Sequence, residues 1–337
     1  MSTAQVLRDQ FWHLLCHRAE LPKNGDYVRL NWLDQEVVLF NDSGDIVVFD
    51  NRCPHRGVRF FSEDHGNGAI SCPYHGWGYR NGALHIPCRE HYDPAVLEGV
   101  KLGKLQSEWC ADFLFVSPAP RMTLEEQLGP TYDQLATISF NIVERADFNV
   151  GYFECDWQVA VENALEPLHV PYVHPETLGL LGLANDDNTL HEWTSVLRAE
   201  ISDEPRFKKL RSIKRLFNID EQYEGYQSIF MFPFSMLSTT FGYSYSLQNF
   251  FPTAEAHRTY FRSRLYTAAT KSPAAAEALK PFFESSAQVN RQVFDEDHAI
   301  CRRVAHDFRS SGAGLLAPGE EKIGHFRACL ARVEETL

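Results

Sequence analysis

Two short stretches of this chain pair residues that can do redox chemistry. They are Cys53-Pro54-His55-Arg56-Gly57 and Cys72-Pro73-Tyr74-His75-Gly76-Trp77. Each offers one thiolate and one imidazole. Two Cys and two His in mirrored loops are the ligands of a [2Fe–2S] cluster in which His replaces Cys on one iron. Each loop would give its Cys to one iron and its His to the other. A structural zinc site draws on the same residue types, but zinc fingers bring Cys and His as like pairs, and here each loop is mixed. Pro54 and Pro73 stiffen the loops. Gly57 and Gly76 let backbone amides approach the sulfurs, a contact that tunes a cluster's potential.

A second constellation lies between Glu162 and His174. His169 and His174 are five residues apart, and at about 100° per residue they do not share a face of an ideal helix. Both can bind one ion only if the helix is interrupted between them, and Pro171, which lacks a backbone donor, predicts the interruption there. Asn163, Glu166 and His169 recur at intervals of three, on one broad face of the preceding helix. Two His leave a non-haem Fe(II) site short of one carboxylate, with open positions for O2 and substrate. The helix around Asn290 to Val304 is the candidate source. Val289, Val293, Ile300 and Val304 suggest a buried stripe with Asp295 on the opposite face and Glu296 and Asp297 both at its border. Counting Phe294 and Cys301 as buried moves the centre to Asp297. A carboxylate on an apolar face must be paired or bind a metal.

At these residues the chain resembles the Rieske family. Respiratory-chain members carry an extra Cys in each loop, and here those positions hold Val58 and Tyr74. The Cys-Pro-His-Arg-Gly and Cys-Pro-Tyr-His-Gly-Trp forms are similar to those of the Rieske non-haem iron oxygenases. Asn163, Glu166, His169 and His174 match that family's Asn-x-x-Asp-x-x-His-x4-His pattern, with Glu166 where Asp is usual, and Asp297 matches the Asp of a later Glu-Asp pair. The resemblance implies a [2Fe–2S] cluster on Cys53, His55, Cys72 and His75, and a mononuclear Fe(II) on His169, His174 and Asp297. It implies that Glu166, with Asn163 beside it, links the two centres across subunits of a homotrimer. It also implies electrons from a reductase or ferredoxin, with NAD(P)H used only indirectly, and O2 acting on a small-molecule substrate. Monooxygenation is favoured over ring dihydroxylation, and the third possibility is a Rieske electron carrier or binding protein without the mononuclear iron.

The elements that must position these groups can be read in outline. Tyr27–Trp32, Glu36–Phe40, Asp45–Phe49 and Phe113–Val116 read as strands, with a hairpin turn at Asp42-Ser43-Gly44 and another at Asn81-Gly82. Later strands are expected over Phe140–Trp157, His191–Ile201, Ser228–Leu237, Thr239–Phe251 and Arg258–Thr267. Helices are expected over Ala274–His306 and Glu320–Leu337, with a loop at Ser310–Gly314. The expected fold class is α+β: an antiparallel β domain over residues 1–120, then a catalytic domain over 121–337 with an antiparallel sheet and a long helix. The resemblance makes the latter a helix-grip fold of the START or Bet v1 kind. The aromatic run Phe230-Met231-Phe232-Pro233-Phe234, with Phe241, Tyr243, Tyr245, Phe250 and Phe251, is expected to be mostly core. Some of it would be free to line a pocket for a planar ring or a methylated ammonium.

Bulk properties narrow the classes. The chain has 337 residues, which suits two domains, and a formal net charge of −13, which argues against nucleic acid. No segment approaches the roughly 20 apolar residues of a membrane span. Met1 to Asp26 carries charges throughout, so no signal peptide is expected and the location is expected to be cytoplasmic. In a reducing compartment the remaining cysteines, Cys16, Cys88, Cys110, Cys155, Cys301 and Cys329, are expected as buried thiols. No Gly-x-Gly-x-x-Gly fingerprint is present, so the electrons must come from another chain. Arg52, Arg56, Arg59, Arg80 and Arg89 cluster around the first two loops as a docking patch for an acidic donor.

Overall fold

The computed structural model describes every residue except Met1, Asp34, Asn81, Glu221, Gln222, 309–313 and Leu337. The expected turn at Asn81 and most of the expected loop at 310–314 therefore lie outside the described residues. The chain opens with α1 (Thr3–Gln10), started by a capping box between Ser2 and Gln5, and β1 (His13–His17). A meander follows, β2 (Asp26–Trp32), β3 (Gln35–Asp42) and β4 (Asp45–Asp50), with β5 (His65–Asn67) on the free edge of β2. Ser43 and Gly44, both at positive φ, make the two-residue turn between β3 and β4, as a tight hairpin requires. A second small sheet holds β6 (Ile70–Ser71), β7 (Gly78–Arg80) and β8 (Ala83–His85). The two Cys-Pro loops connect β4 to β5 and β6 to β7. After α2 (Pro94–Glu98) come β9 (Gln106–Cys110) and β10 (Phe113–Ser117), which pair with β1 in a third sheet of order β1-β10-β9.

The second half begins with α3 (Leu124–Leu128) and α4 (Thr131–Asn141), then β11 (Ile142–Phe153), α5 (Trp157–Leu165) and the single-turn α6 (Val170–Val173). A meander of β12 (Leu183–Leu190), β13 (Thr194–Ile201), β14 (Tyr226–Met231), β15 (Ser235–Thr240), β16 (Ser244–Pro252) and β17 (Thr259–Ala268) carries α7 (Glu204–Ile213) in its longest connection. Then come α8 (Pro273–Cys301) and α9 (Glu321–Glu334). The seven-stranded antiparallel sheet runs β11-β17-β16-β15-β14-β13-β12, with α8 packed against β11, β16 and α5. This is the α+β arrangement expected, a β-rich N-terminal part followed by a large antiparallel sheet with a long helix. No helix among the described residues is long and apolar enough to cross a membrane.

The two halves share an apolar core. Phe11, just after α1, meets Trp193 and Phe232 edge-on, each at 5.1 Å, and Asn249, Arg262 and Arg264 donate to the carbonyls of Leu14 and Leu15. The division at residue 120 is accordingly a proposal about chain organisation.

Several expectations need correction. The Ser228–Leu237 strand is two, β14 and β15, because Pro233 cannot donate to the ladder and sits in the turn between them. The Phe140–Trp157 stretch starts with the end of α4, and its strand stops at Phe153. α8 ends at Cys301, not near His306, and its buried face is Ala275, Leu279, Phe294 and Cys301, whereas Val289 and Ile300 are 40% and 37% exposed. The named aromatics from Phe230 to Phe251 are all core. Cys88 is exposed and every cysteine is free.

Candidate metal centres

The two Cys-Pro loops are built alike. Cys53 N donates to Val58 O, and Gly57 N donates back to Cys53 O, both at 2.8 Å. Cys72 N donates to Trp77 O at 2.7 Å, and Gly76 N to Cys72 O at 3.0 Å. Gly57 and Gly76 have φ of 73° and 69°, the left-handed conformation that a side chain would strain and that closes each loop over its sulfur. Cys53 and Cys72 are buried, and each loop brings its thiol toward the other. Burial is the larger influence that raises the Cys53 thiol, against backbone hydrogen bonds from His55 and Arg56. The imidazoles lie on the outer side, His55 and His75 with ring centroids 4.7 Å apart and His55 stacked on Trp77 at 4.9 Å. Desolvation, followed by the neighbouring His75 and Arg56, lowers the His55 pKa, so its ring favours the neutral, metal-binding form. Sulfur faces sulfur and ring faces ring, as a cluster with both thiolates on one iron and both imidazoles on the other requires.

The second centre gathers residues from α5, α6 and α8. His169, His174 and Asp297 each offer a ligand atom, all within 4.8 Å of one another. His174 Nε2 lies 3.0 Å and His169 Nε2 3.6 Å from Asp297 Oδ1. The opposite nitrogens are held by acids: His169 Nδ1 contacts Glu166 Oε1 at 2.6 Å, and His174 Nδ1 contacts Glu296 Oε2 at 2.7 Å. Asn163 Nδ2 donates to Asp297 Oδ1 at 2.7 Å. Burial opposes a charge on His174, yet hydrogen bonds and attraction from Asp297 and Glu296 raise its pKa above the ordinary value. A cation among these groups would take over the role of that proton. Two imidazoles turned Nε2-inward by carboxylates, with a third carboxylate beside them, could hold a metal ion and match the donor types that a two-His, one-carboxylate Fe(II) centre requires.

The helix break is not where Pro171 predicts it. α5 ends at Leu165, and Glu166 is extended, with φ −126° and ψ 148°. Pro167 forces this, because the residue before a proline is pushed out of the helical region. Pro171 instead lies in the first turn of α6, where a missing N–H costs nothing. His169 and His174 are the two caps of that single turn, so the interruption precedes both imidazoles. Glu166 Oε2 accepts from the amides of Leu168 and His169, which fixes the start of α6. Glu296 was readable only as a border residue. The structure gives it a definite partner in His174 and braces it with Thr177 Oγ1 at 2.8 Å and Gln292 Nε2 at 2.9 Å.

A cavity of about 60 Å3 opens from the three convergent side chains. Its walls are Leu178, Leu183, Leu197, Met236, Val293 and Phe294, with Tyr226, Ser228 and Gln248 supplying polar atoms. None of the aromatics proposed for a pocket lines it. On the outer side, Glu166 and Asn163 also border a groove with Val159, Ile300, Val304 and Phe308.

Residues 11–96 match the family described as Rieske [2Fe-2S] domain, and residues 140–335 match the ring hydroxylating alpha subunit catalytic domain. The carnitine monooxygenase oxygenase subunit of Acinetobacter pittii is 24% identical over 223 residues, 64% of this chain and 59% of that protein. The anthranilate 1,2-dioxygenase large subunit of Acinetobacter baylyi is 27% identical over 187 residues, 50% of this chain and 39% of that protein. The chain thus spans about half the length of the curated relatives it matches. In fold it is similar to a quaternary ammonium Rieske monooxygenase crystallised with L-carnitine, with a TM-score of 0.79 and 20% identity over 98% of this chain and 90% of that one.

Proposed function

The chain belongs to the ring-hydroxylating alpha-subunit family with an N-terminal Rieske domain, and on that footing we propose that it is the terminal oxygenase of a multicomponent system. The reaction proposed is O2-dependent hydroxylation or oxidative demethylation of a small aromatic or methylated-amine substrate, monooxygenation rather than ring dihydroxylation. The carrying observation is the convergence of His169, His174 and Asp297 at one end of a cavity, with both imidazoles oriented by acids. Cys53, His55, Cys72 and His75 would hold the [2Fe–2S] cluster, and the three convergent residues the mononuclear iron. When bound, these groups supply single-electron delivery and activation of O2 beside the substrate. Glu166 and Glu296 hold the ring tautomers, Asn163 holds Asp297, and the apolar wall excludes water. Leu178 and Leu183, near Gly182 with its φ of 59°, form part of this wall.

The electron source is proposed to be a separate reductase or ferredoxin, with NAD(P)H acting only through it. A homotrimer in which one protomer's cluster serves its neighbour's iron belongs to the same proposal. It is supported by the groove beside Glu166, where Ile300 and Phe308 stay partly exposed. Apolar residues gathered in this way mark an interaction surface. A cytoplasmic location is proposed from the free cysteines.

Iron analysis tests the reading. An oxygenase holds about three irons per chain, and a Rieske carrier about two. Glu166→Gln keeps a carbonyl oxygen to accept from His169 Nδ1, so both metals should stay while coupled turnover falls. Unchanged product formation in that variant removes the bridging role, and two irons in the fully loaded wild type removes the oxygenase.

A further inference from the structure

Lys322 is the second residue of α9, and none of its surface is exposed. It lies on the inward face of the helix with Ile323, Phe326, Leu330 and Val333. An ammonium in such a place is costly unless an anion faces it. Among the described residues no carboxylate pairs with Lys322. Its Nζ donates to Ser228 Oγ at 3.1 Å, and burial alone lowers its pKa to about 7. Ser228, on β14, lines the same cavity that His169, His174 and Asp297 border. The Tyr226 hydroxyl, also on that wall, has the Ser228 and Ser238 side chains as neighbours. The cavity therefore has an acid-rich end, where a cation fits, and a wall of two hydroxyls backed by a lysine that no described carboxylate pairs.

We propose that this wall is a carboxylate subsite. The substrate carries an anionic head group that accepts from the Ser228 and Tyr226 hydroxyls, and the Lys322 ammonium behind Ser228 supplies the balancing charge. The inference rests on the oxygenase reading of the cavity and names the substrate class: small acids whose oxidised carbon lies toward His169 and His174. Hydroxyls reorient freely, so Ser228 can accept from Lys322 and donate to the ligand at once. Lys322 is a positioning residue, since it acts through Ser228. Its burial without a counter-ion is the kind of local cost a binding site keeps at the expense of stability.

The test is calorimetric titration of the anaerobic, iron-loaded protein with two matched pairs: carnitine and its amide, and anthranilate and its amide. At about pH 6, where these acids are ionised, at least one acid should bind about tenfold or more tighter than its amide. Lys322→Met, close in shape and uncharged, should erase that ratio by weakening the acid alone, with the unfolding midpoint unchanged or raised. Ser228→Ala should reduce the ratio, and Lys322→Arg should keep part of it. Equal binding of acids and amides by the wild type overturns the subsite, as does a preference that survives Lys322→Met. A lowered midpoint with the ratio intact would mark a purely structural lysine and overturns it too. An acid preference in a protein that oxidises nothing when loaded and reduced would uphold the subsite while overturning the oxygenase reading.

Discussion

An imidazole binds a metal through one nitrogen, and the partner of the other nitrogen decides which. His174 Nδ1 is held by Glu296, and Glu296 is itself braced by Thr177 and Gln292. Burial pulls the Glu296 carboxyl upward, but hydrogen bonds from His174, Thr177 and Gln292 prevail and hold it below the ordinary carboxylate range. It therefore stays an acceptor at neutral pH, and the His174 proton stays on Nδ1. Glu296→Ala releases the ring and should weaken the mononuclear site by about 10- to 100-fold, the usual cost of losing such a partner. Chelator-challenged protein should fall from about three irons per chain toward two, with the cluster's visible spectrum unchanged. Full iron retention would mean that Glu296 is only a surface acid in contact with His174. Residue types and spacing were enough to nominate both imidazoles, because few arrangements of Cys, His and Asp carry this chemistry. They separate Asp297 from Glu296 only when Phe294 and Cys301 are counted as buried, since adjacent positions on a helix differ by about 100° and the rotation of α8 in the core decides which one faces the cavity.

At the scale of elements, α5 and α6 show how a local rule sets a ligand. Pro167 ends α5 at Glu166, and the extended Glu166 lets its own side chain cap α6 and reach back to His169 Nδ1. Pro167→Ala lifts the restriction on Glu166 and lets α5 run on, which rotates His169 away. It should cost about tenfold or more in mononuclear iron affinity, the scale seen when a ligand loses its orientation. Iron per chain, read beside helical circular dichroism, checks this, and an unchanged iron content would show that packing alone holds the turn. The sequence points to a break but to the wrong proline, because Pro171 and Pro167 look alike until one knows that a proline is welcome in a first turn. The meander strands with alternating or aromatic patterns were legible. β12 was not, since Leu183–Leu190 is mostly polar and is a strand only because β13 beside it offers a ladder. The stripe on α8 was misplaced because Val289 and Ile300 are apolar yet face outward, and the true buried face shows only through Phe294 and Cys301 against the sheet.

For the whole molecule, charge acts in two places. Around the cluster loops Arg56, Arg80 and Arg89 are exposed, while Arg52 and Arg59 reach Asp50 and Glu36. Against a net charge of −13 this local positive surface should steer an acidic donor, so reduction should slow about tenfold or more as ionic strength rises from low to physiological. Stopped-flow traces that ignore salt would remove the patch from electron delivery. The second place joins the halves. Glu20, just after β1, has its side chain fully buried against β11 and β17, where Tyr266 Oη donates to it at 2.6 Å and Arg145 at 3.1 Å, with Arg264 and Arg262 at 3.7 and 3.8 Å. Burial works against its charge, but Arg264, Arg262 and Arg145 outweigh it and hold the carboxyl at about 2, below the ordinary 4.5. A folded value below the unfolded one means that the unfolded chain binds the proton first as pH falls. The stabilisation is therefore complete above 4.5 and is lost as pH drops toward 2, and the shift corresponds to about 3 kcal/mol. Glu20→Gln keeps the shape and removes the charge, leaving the arginines uncompensated at a cost of about 3–5 kcal/mol near neutrality. The gap in unfolding midpoint between wild type and variant should be full at about pH 6 and close gradually as pH falls from 4.5 toward 2, where Glu20 is protonated in both states and nearly equivalent to a glutamine. A gap that stays constant across that window would mean that the acid's charge contributes nothing to the weld, and that the union of the two halves rests on Phe11, Trp193 and Phe232 instead.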